Sequence, residues 1–307
     1  SGRQLGKKAK YHKEVFETTK ENSIPEQFKF LGMESILIAG FGKEGEISKK
    51  YIKKYYPSVK IGIADSKQGN DYLKKQNNFD IAIKTPGIKK ELINIPYTTA
   101  TNIFFSHIIG KYTIIGITGS KGKSTTSTLI FEILKAAGKH IGFLGNIGQP
   151  MLSALLHPIK KNTIFVLELS SYQLDDIRFS PNIAVVTSLF PEHMDYHNGV
   201  KNYYTAKKNI INFQQKGNFF VYNPNDKESV TWLKDYRGKA IPFAKHIPLQ
   251  KSEIPLIGEH NERNIKAAIA VAKIFNISDR VIKKTIAHFK PLPHRLELVG
   301  TFKNIIF

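Results

Sequence analysis

The chain has 307 residues, 41% of them hydrophobic, and carries 46 Lys and Arg against 25 Asp and Glu, a formal net charge of +21. That length suits two domains of ordinary size, and the lack of any cysteine excludes disulfides, thiolate metal sites and a cysteine nucleophile, as suits a cytoplasmic protein. No run approaches the roughly 20 apolar residues of a membrane span, and 40 of the 46 basic residues are scattered Lys, which points to a surface attracting small anions and away from nucleic acid.

Residues 1–33 are Lys-rich and hold no clear apolar strand; 7–20 could form a short helix, broken at Pro25. The chain starts with Ser1-Gly2 in place of Met, which reads as a processed or excised piece. A first α/β unit begins at Ser35. The apolar run Ser35-Ile36-Leu37-Ile38-Ala39 predicts a strand, and Gly40-Phe41-Gly42-Lys43-Glu44-Gly45 is a G-x-G-x-x-G turn. A helix over 47–56 and a strand over 60–64 follow, ending at Asp65, an acid 20 positions after the last glycine. In that strand–turn–helix–strand order the motif predicts a site for a nucleotide's diphosphate. Taken alone, the same turn would also suit an NAD-dependent dehydrogenase. A third strand over 80–84 leads into Thr85-Pro86-Gly87-Ile88, a turn at the end of a strand where α/β proteins bind ligands.

The second unit starts near Lys111. Strands are predicted over 113–118, 141–143, 163–169, 183–187 and 218–223, with helices over 124–137, 203–212 and 262–275, an alternation that implies a mostly parallel sheet. Its first strand empties into Thr118-Gly119-Ser120-Lys121-Gly122-Lys123-Ser124-Thr125. Glycines there let backbone N–H groups crowd a phosphate at a helix N-terminus, Lys123 can reach the terminal phosphates, and Ser124 can ligate Mg²⁺. The usual P-loop has a glycine where this chain has Ile117, so the loop is a shortened variant. The strand over 163–169 ends in Glu168, an acid placed as a metal ligand beside a phosphate loop. His193-Met194-Asp195-Tyr196-His197 could be a transition-metal string or two solvated loop histidines.

Several segments taken together resemble the Mur ligases: Gly116-Ile117-Thr118-Gly119 with Gly122-Lys123-Ser124-Thr125, Gly145-Asn146-Ile147-Gly148, Leu167-Glu168-Leu169-Ser170-Ser171-Tyr172-Gln173-Leu174, His193-Met194-Asp195, Tyr203 with Ala206-Lys207, Gly258 with His260-Asn261 and Asn264, and His294-Arg295-Leu296-Glu297. Matches run in family order from Ile36 to Glu297, and the string around Glu168 is similar to the branch that adds D-glutamate. The resemblance implies a Rossmann-like UDP-binding domain over 34–109 and a P-loop-type ATP-binding domain over 110–300. A basic extension over 1–33 precedes them, and 301–307 would open a further domain.

It also implies an ATP-dependent, ADP-forming ligase of peptidoglycan precursor synthesis. ATP phosphorylates the carboxylate of UDP-N-acetylmuramoyl-L-alanine, and the amine of D-glutamate then attacks the acyl phosphate. On this reading Gly42, Gly45, Asp65, Thr85, Pro86 and Gly87 hold the UDP, and Asn146, Ser170 and Gln173 line the muramoyl-alanine end. Gly119, Ser120, Lys121, Gly122, Lys123, Ser124, Thr125, Asn264 and Arg295 bind ATP. Ser124, Glu168, His193 and a CO₂-carbamylated Lys207 serve two Mg²⁺ sites, so Lys123, Glu168, His193 and Lys207 form the catalytic set. For His260 and Asn261 a helix-capping role stands beside ligand contact. Lys121 departs from the Asn common in the family. Members continue past Arg295 into a domain that binds D-glutamate, so the expectation for these residues is a monomer that binds nucleotide and turns over poorly. The rival readings are another Mur-like amide ligase, such as a relative of folylpolyglutamate synthetase, and a catalytically incomplete nucleotide-binding module.

Overall fold

The computed structural model describes residues 32–292 and two short strands at 301–302 and 305–306. The helix expected over 7–20 lies outside them. The first sheet comprises β1 (Ser35–Ala39), β2 (Lys60–Ala64), β3 (Ile81–Lys84) and β4 (Tyr97–Thr98), all parallel in the order β2-β1-β3-β4. Helix α1 (Lys43–Tyr55) joins β1 to β2, and α2 (Ala100–Ile108) leads to the second sheet. That sheet comprises β5 (Thr113–Thr118), β6 (Ile141–Gly145), β7 (Ile164–Glu168), β8 (Ile183–Val186), β9 (Phe219–Tyr222) and β10 (Lys239–Pro242). It too is parallel throughout, in the order β10-β9-β8-β5-β7-β6. Its helices are α3 (Lys123–Ala136), α4 (Ser171–Asp175), α5 (Met194–His197), α6 (Val200–Asn212), α7 (Lys227–Thr231), α8 (Glu259–Ile274) and α9 (Asp279–Ala287). The last pair, β11 (Thr301–Phe302) and β12 (Ile305–Ile306), is antiparallel. Among the described residues no helix is long and apolar enough to cross a membrane.

The central strands are apolar on both faces because both faces are covered. In β5 and β7, Ile115, Ile117, Ile164 and Val166 pack under α3 and α8, whereas Ile114, Phe165 and Leu167 point the other way. That second face shares one cluster with Ile36, Tyr51 and Ile52 of the first unit and with α2. Helix α2 is buried at seven of its nine positions, and Phe104 meets Phe165 edge-on at 5.2 Å. Burial on every side explains why Ala-Thr-Asn-Ile-Phe-Phe-Ser-His-Ile shows no helical period and was not predicted.

The sequence and the structure differ in the starts of three helices and in whole elements that the pattern does not show, α2, α4, α5, α7, α9, β4 and β10. Helix α1 begins at Lys43, four residues earlier than expected, so Lys43 and Glu44 belong to the helix and not to the turn. Helix α6 begins at Val200 and α8 at Glu259, each three residues early. Strand β10 was not expected. Three of its four residues, Lys239, Ala240 and Pro242, are exposed, and it holds the sheet edge.

Candidate active site

At the end of β1 the three glycines serve three steric purposes. Gly40 adopts φ +88°, and a Cβ there would lie 1.9 Å from Thr85 Oγ1. Gly42 faces open space, so a ligand can approach its backbone, while a Cβ on Gly45 would strike Gly40 O at 2.3 Å and lift α1 off the strand. Asp65 Oδ2 accepts from Phe41 N at 2.6 Å, which with the Lys67 amide holds its carboxyl below the usual range. Its Oδ1 accepts from Lys67 N and caps a short 3₁₀ turn. Thr85 Oγ1 donates to Ala39 O at 2.9 Å, so the 85–88 turn sits beside the glycine turn where strand order reverses, β1 having β2 on one side and β3 on the other. The structure therefore gathers Gly42, Gly45, Asp65 and Thr85.

The phosphate loop lies where the second sheet's order reverses, between β5 and β8. Gly119 (φ +152°) has no room for a Cβ against Thr187 Oγ1, 2.0 Å away. Gly122 (φ +87°) is packed on Asn264, whose Oδ1 would lie 2.3 Å from an added Cβ. Asn264 Oδ1 also accepts from Thr126 Oγ1 at 3.3 Å, and its Nδ2 donates to Asn261 Oδ1 at 3.1 Å. Asn261 in turn donates to Ile257 O. Asn261 thus supports Asn264 through side chains, not by the capping role considered for it. A cleft of about 510 Å³ opens here, lined by residues that include Lys121, Gly122, Thr125, Thr187, Phe190 and Arg263. Lys123 Nζ folds back onto Gly119 O (2.8 Å) and Ser120 O (2.9 Å). Ser120 is buried; its hydroxyl donates to Phe190 O at 2.7 Å and contacts Tyr203 OH at 2.9 Å, and its amide donates to Ser188 O at 2.7 Å, so it ties the loop to the 188–190 segment. Lys121 pairs with Glu192 at 2.9 Å.

Strand pairing puts Glu168 level with Ile117 on one side and Gly145 on the other, so the acid, the phosphate loop and the Gly145-Asn146 turn end side by side. Glu168 is 1% exposed; Oε1 accepts from Asn146 Nδ2 at 2.9 Å, while Oε2 is buried without a hydrogen-bond partner. Lys207, on α6, is 1% exposed and donates to Gly119 O at 2.9 Å with its ammonium 4.8 Å from the Tyr203 ring centre. Burial and then the charge of Lys123, partly offset by Glu192, push its pKa down to about 7.

An orphaned carboxylate oxygen and a neutral-prone amine beside a phosphate loop fit a hard divalent cation, which needs only one or two protein oxygens besides substrate and water. Ser124 and Glu168 are the residues that would hold it. Among the described residues no three His, Cys, Asp or Glu gather into a ready-made metal cluster. His193, in a left-handed conformation, and His197 both pack on Tyr172. His197 is buried, bonds Ser171 Oγ through Nε2 at 3.0 Å, and has its pKa lowered by burial first of all; in this arrangement it serves the packing of α4.

Ser170 and Gln173 form a capping box at the start of α4, Ser170 Oγ accepting from Gln173 N and Gln173 Oε1 from Ser170 N. Pro86 and Gly87 lie in the turn after β3, and Arg295 lies outside the described residues. Sequence reasoning missed Thr187, Phe190 and Arg263, which line the cleft, and three lysines, Lys84, Lys89 and Lys90, that bond across to the second unit. In a chain with 40 lysines nothing in the pattern marks those three.

Residues 117–252 match the family described as the Mur ligase middle domain. The chain is 33% identical over 303 residues to a UDP-N-acetylmuramoylalanine–D-glutamate ligase of Oenococcus oeni, covering 88% of this chain and 68% of that protein. It is 31% identical over 317 residues to the ligase of the same name from Streptococcus pyogenes, covering 89% and 70%. The fold is similar to a UDP-N-acetylmuramate:L-alanyl-gamma-D-glutamyl-meso-diaminopimelate ligase from Neisseria meningitides (TM-score 0.59, 18% identity, 86% of this chain and 100% of that one). It is also similar to MurF from Acinetobacter baumannii (TM-score 0.56, 17% identity, 87% and 62%). Two parallel sheets with a phosphate loop, the acid of β7 in line with it and relatives at this identity lead to one conclusion: the chain belongs to the Mur ligase family.

Proposed function

We propose that this protein joins D-glutamate to UDP-N-acetylmuramoyl-L-alanine at the expense of ATP, as a cytoplasmic monomer that uses no nucleic acid, with the domain limits and site residues set out from the sequence. A carboxylate oxygen of the alanyl group attacks the γ-phosphorus and ADP departs. The D-glutamate amine then attacks the acyl carbon, loses a proton, and phosphate leaves with the C–O bond broken, giving the amide. Each step asks mainly for positioning and for neutralised charge.

In this reading Lys123 swings from its loop carbonyls to the β/γ-phosphates, and the backbone of 119–125 cradles them. Asn264 and Phe190 line the cleft for the base. Ser124 and Glu168 would hold one Mg²⁺ and His193 and Lys207 another, and bound there the metal would supply positive charge to the phosphate oxygens. Lys207, an amine largely able to shed its proton near neutrality, adds CO₂ to give an N-carboxylate and a proton; this turns a repelling ammonium into an anionic oxygen ligand. Asn146 orients Glu168 through Oε1. The 40–45 and 85–88 turns hold the UDP, and Gln173 and Ser170 face the sugar end.

The observation that supports this most is the buried, unpartnered Oε2 of Glu168 beside the phosphate loop. The test measures phosphate release from ATP with each substrate left out in turn, and the mass of the product. Release that requires both UDP-N-acetylmuramoyl-L-alanine and D-glutamate, and that Glu168→Ala abolishes, is the expected result. Slow release is in keeping with the low turnover expected of these residues; release that proceeds with a different amino acid in place of D-glutamate points to another Mur-type ligase, and a chain that binds ATP but not UDP-N-acetylmuramoyl-L-alanine overturns the reading.

A further inference from the structure

The segment from Lys84 to Lys90 bonds the first unit to the second at several points. Lys84 Nζ lies 2.7 Å from Asp176 Oδ2, with the two side chains 0% and 4% exposed. The same ammonium donates to Ile88 O at 2.8 Å and reaches Thr85 O at 3.4 Å, both carbonyls of the 85–88 turn. Asp176 ends α4; its Oδ1 accepts from Tyr97 OH at 2.9 Å and its backbone carbonyl from Asn102 Nδ2 at 2.9 Å. Around this centre Lys90 pairs with Asp175 at 3.0 Å, Lys89 donates to Asp195 O at 2.6 Å, and Tyr196 OH donates to Ile88 O at 3.3 Å. Glu44 of α1 completes the cluster, its buried carboxyl hydrogen-bonded with Gln173 and in the field of Lys84.

A buried ion pair is a poor means of stabilising a fold, because desolvation offsets most of its attraction and an apolar pair serves as well. What it does supply is a fixed separation. Here that separation lies between the turn that the proposed function gives to UDP and the helix that it gives to the sugar and the reacting carboxylate. We propose that Lys84 and Asp176 are positioning residues that set the spacing of these two walls, so that a long UDP-sugar substrate anchored on the first sheet presents its far end at Glu168. The inference rests on the proposed function. ATP binds in the other cleft, lined from β5, β8 and α8, and does not span the two walls.

The test pairs Lys84→Met with Asp176→Asn. Together they remove both charges and keep an acceptor for Tyr97, whereas Lys84→Met alone strands a buried carboxylate. Calorimetric titrations with UDP-N-acetylmuramoyl-L-alanine and, separately, with Mg-ATP give the readout. The double variant is expected to bind the UDP-sugar about tenfold more weakly, as a misplaced substrate would, and to bind ATP within about twofold of the parent. If the double variant does not fold, Tyr97→Phe, which removes one partner of Asp176 and leaves the charges, is expected to show the same split at about threefold. Equal UDP-sugar affinity in parent and variant, or equal weakening of both ligands, overturns the inference and leaves the function standing. A parent protein that binds ATP and not the UDP-sugar overturns the proposed function, and this inference falls with it.

Discussion

Lys207 occupies a place where an ammonium is costly and a neutral amine is not. Its pKa is about 7 in the folded chain, against about 10.5 for a fully hydrated lysine, and desolvation is the largest cause. Below pH 7 both folded and unfolded chains carry the proton, and the folded one bears the full penalty. Between pH 7 and 10.5 the unfolded chain binds more protons, so this group's contribution to stability improves as pH rises. Lys207→Met should therefore be more stable than the parent in CO₂-free buffer, with an advantage that shrinks by roughly 2 kcal/mol between pH 7 and pH 9. Urea unfolding at the two pH values checks this, and an advantage independent of pH would contradict a buried, easily deprotonated amine. The same variant should lose ligase turnover by at least about a hundredfold, since stability and function oppose each other at such a residue. Neither the burial of Lys207 nor its contact with Gly119 O was visible in the sequence. Only its spacing from Tyr203 and the resemblance singled it out among 40 lysines.

At the scale of elements, the glycine turns were legible because each has a steric cause. The turn from β5 into α3 is legible from Gly119, Gly122 and Lys123, yet the sequence could not say that Gly122 makes room for Asn264, 142 positions along the chain. Gly122→Ala should lower stability by about 1–2 kcal/mol through its left-handed backbone. It should also weaken ATP binding at least tenfold, because Asn264 must retreat from the cleft, while UDP-sugar binding stays unchanged. Parallel titrations of the two ligands decide it; unchanged ATP affinity would show that the loop tolerates a Cβ and that its fit to Asn264 does not matter. Helix α9 is a different lesson. Asp279–Ala287 carries Ile282 and Ile286 four apart on one buried face after Ser278, a helical signal that was present and not used. Helix α4, five residues long, lies below the length at which periodicity can speak, and its capping box alone marks it.

At the scale of the whole molecule, the two sheets share one apolar cluster. Tyr51 and Ile52 of α1, Phe104 and Phe105 of α2, and Phe165 and Leu167 of β7 belong to it, and the Lys84–Asp176 pair closes its polar edge. Sequence patterning gave two successive α/β units and had no means of showing this, since contacts between units lie between residues far apart in the chain. Asn102 illustrates the point: a buried amide in an apolar helix looks like a misfit until its partners, Asp176 O and Arg178 N, are seen. A shared core predicts that neither unit unfolds independently. Thermal unfolding followed by calorimetry should then show a single transition whose calorimetric and van't Hoff enthalpies agree. Phe104→Ala, which removes a buried ring from the shared cluster, should cost roughly 3–5 kcal/mol and lower that transition as one. Were the units independent, the variant would split the melt and leave ATP-induced stabilisation of the second part at its parental value; one undivided, lowered transition that ATP still raises is the expected outcome.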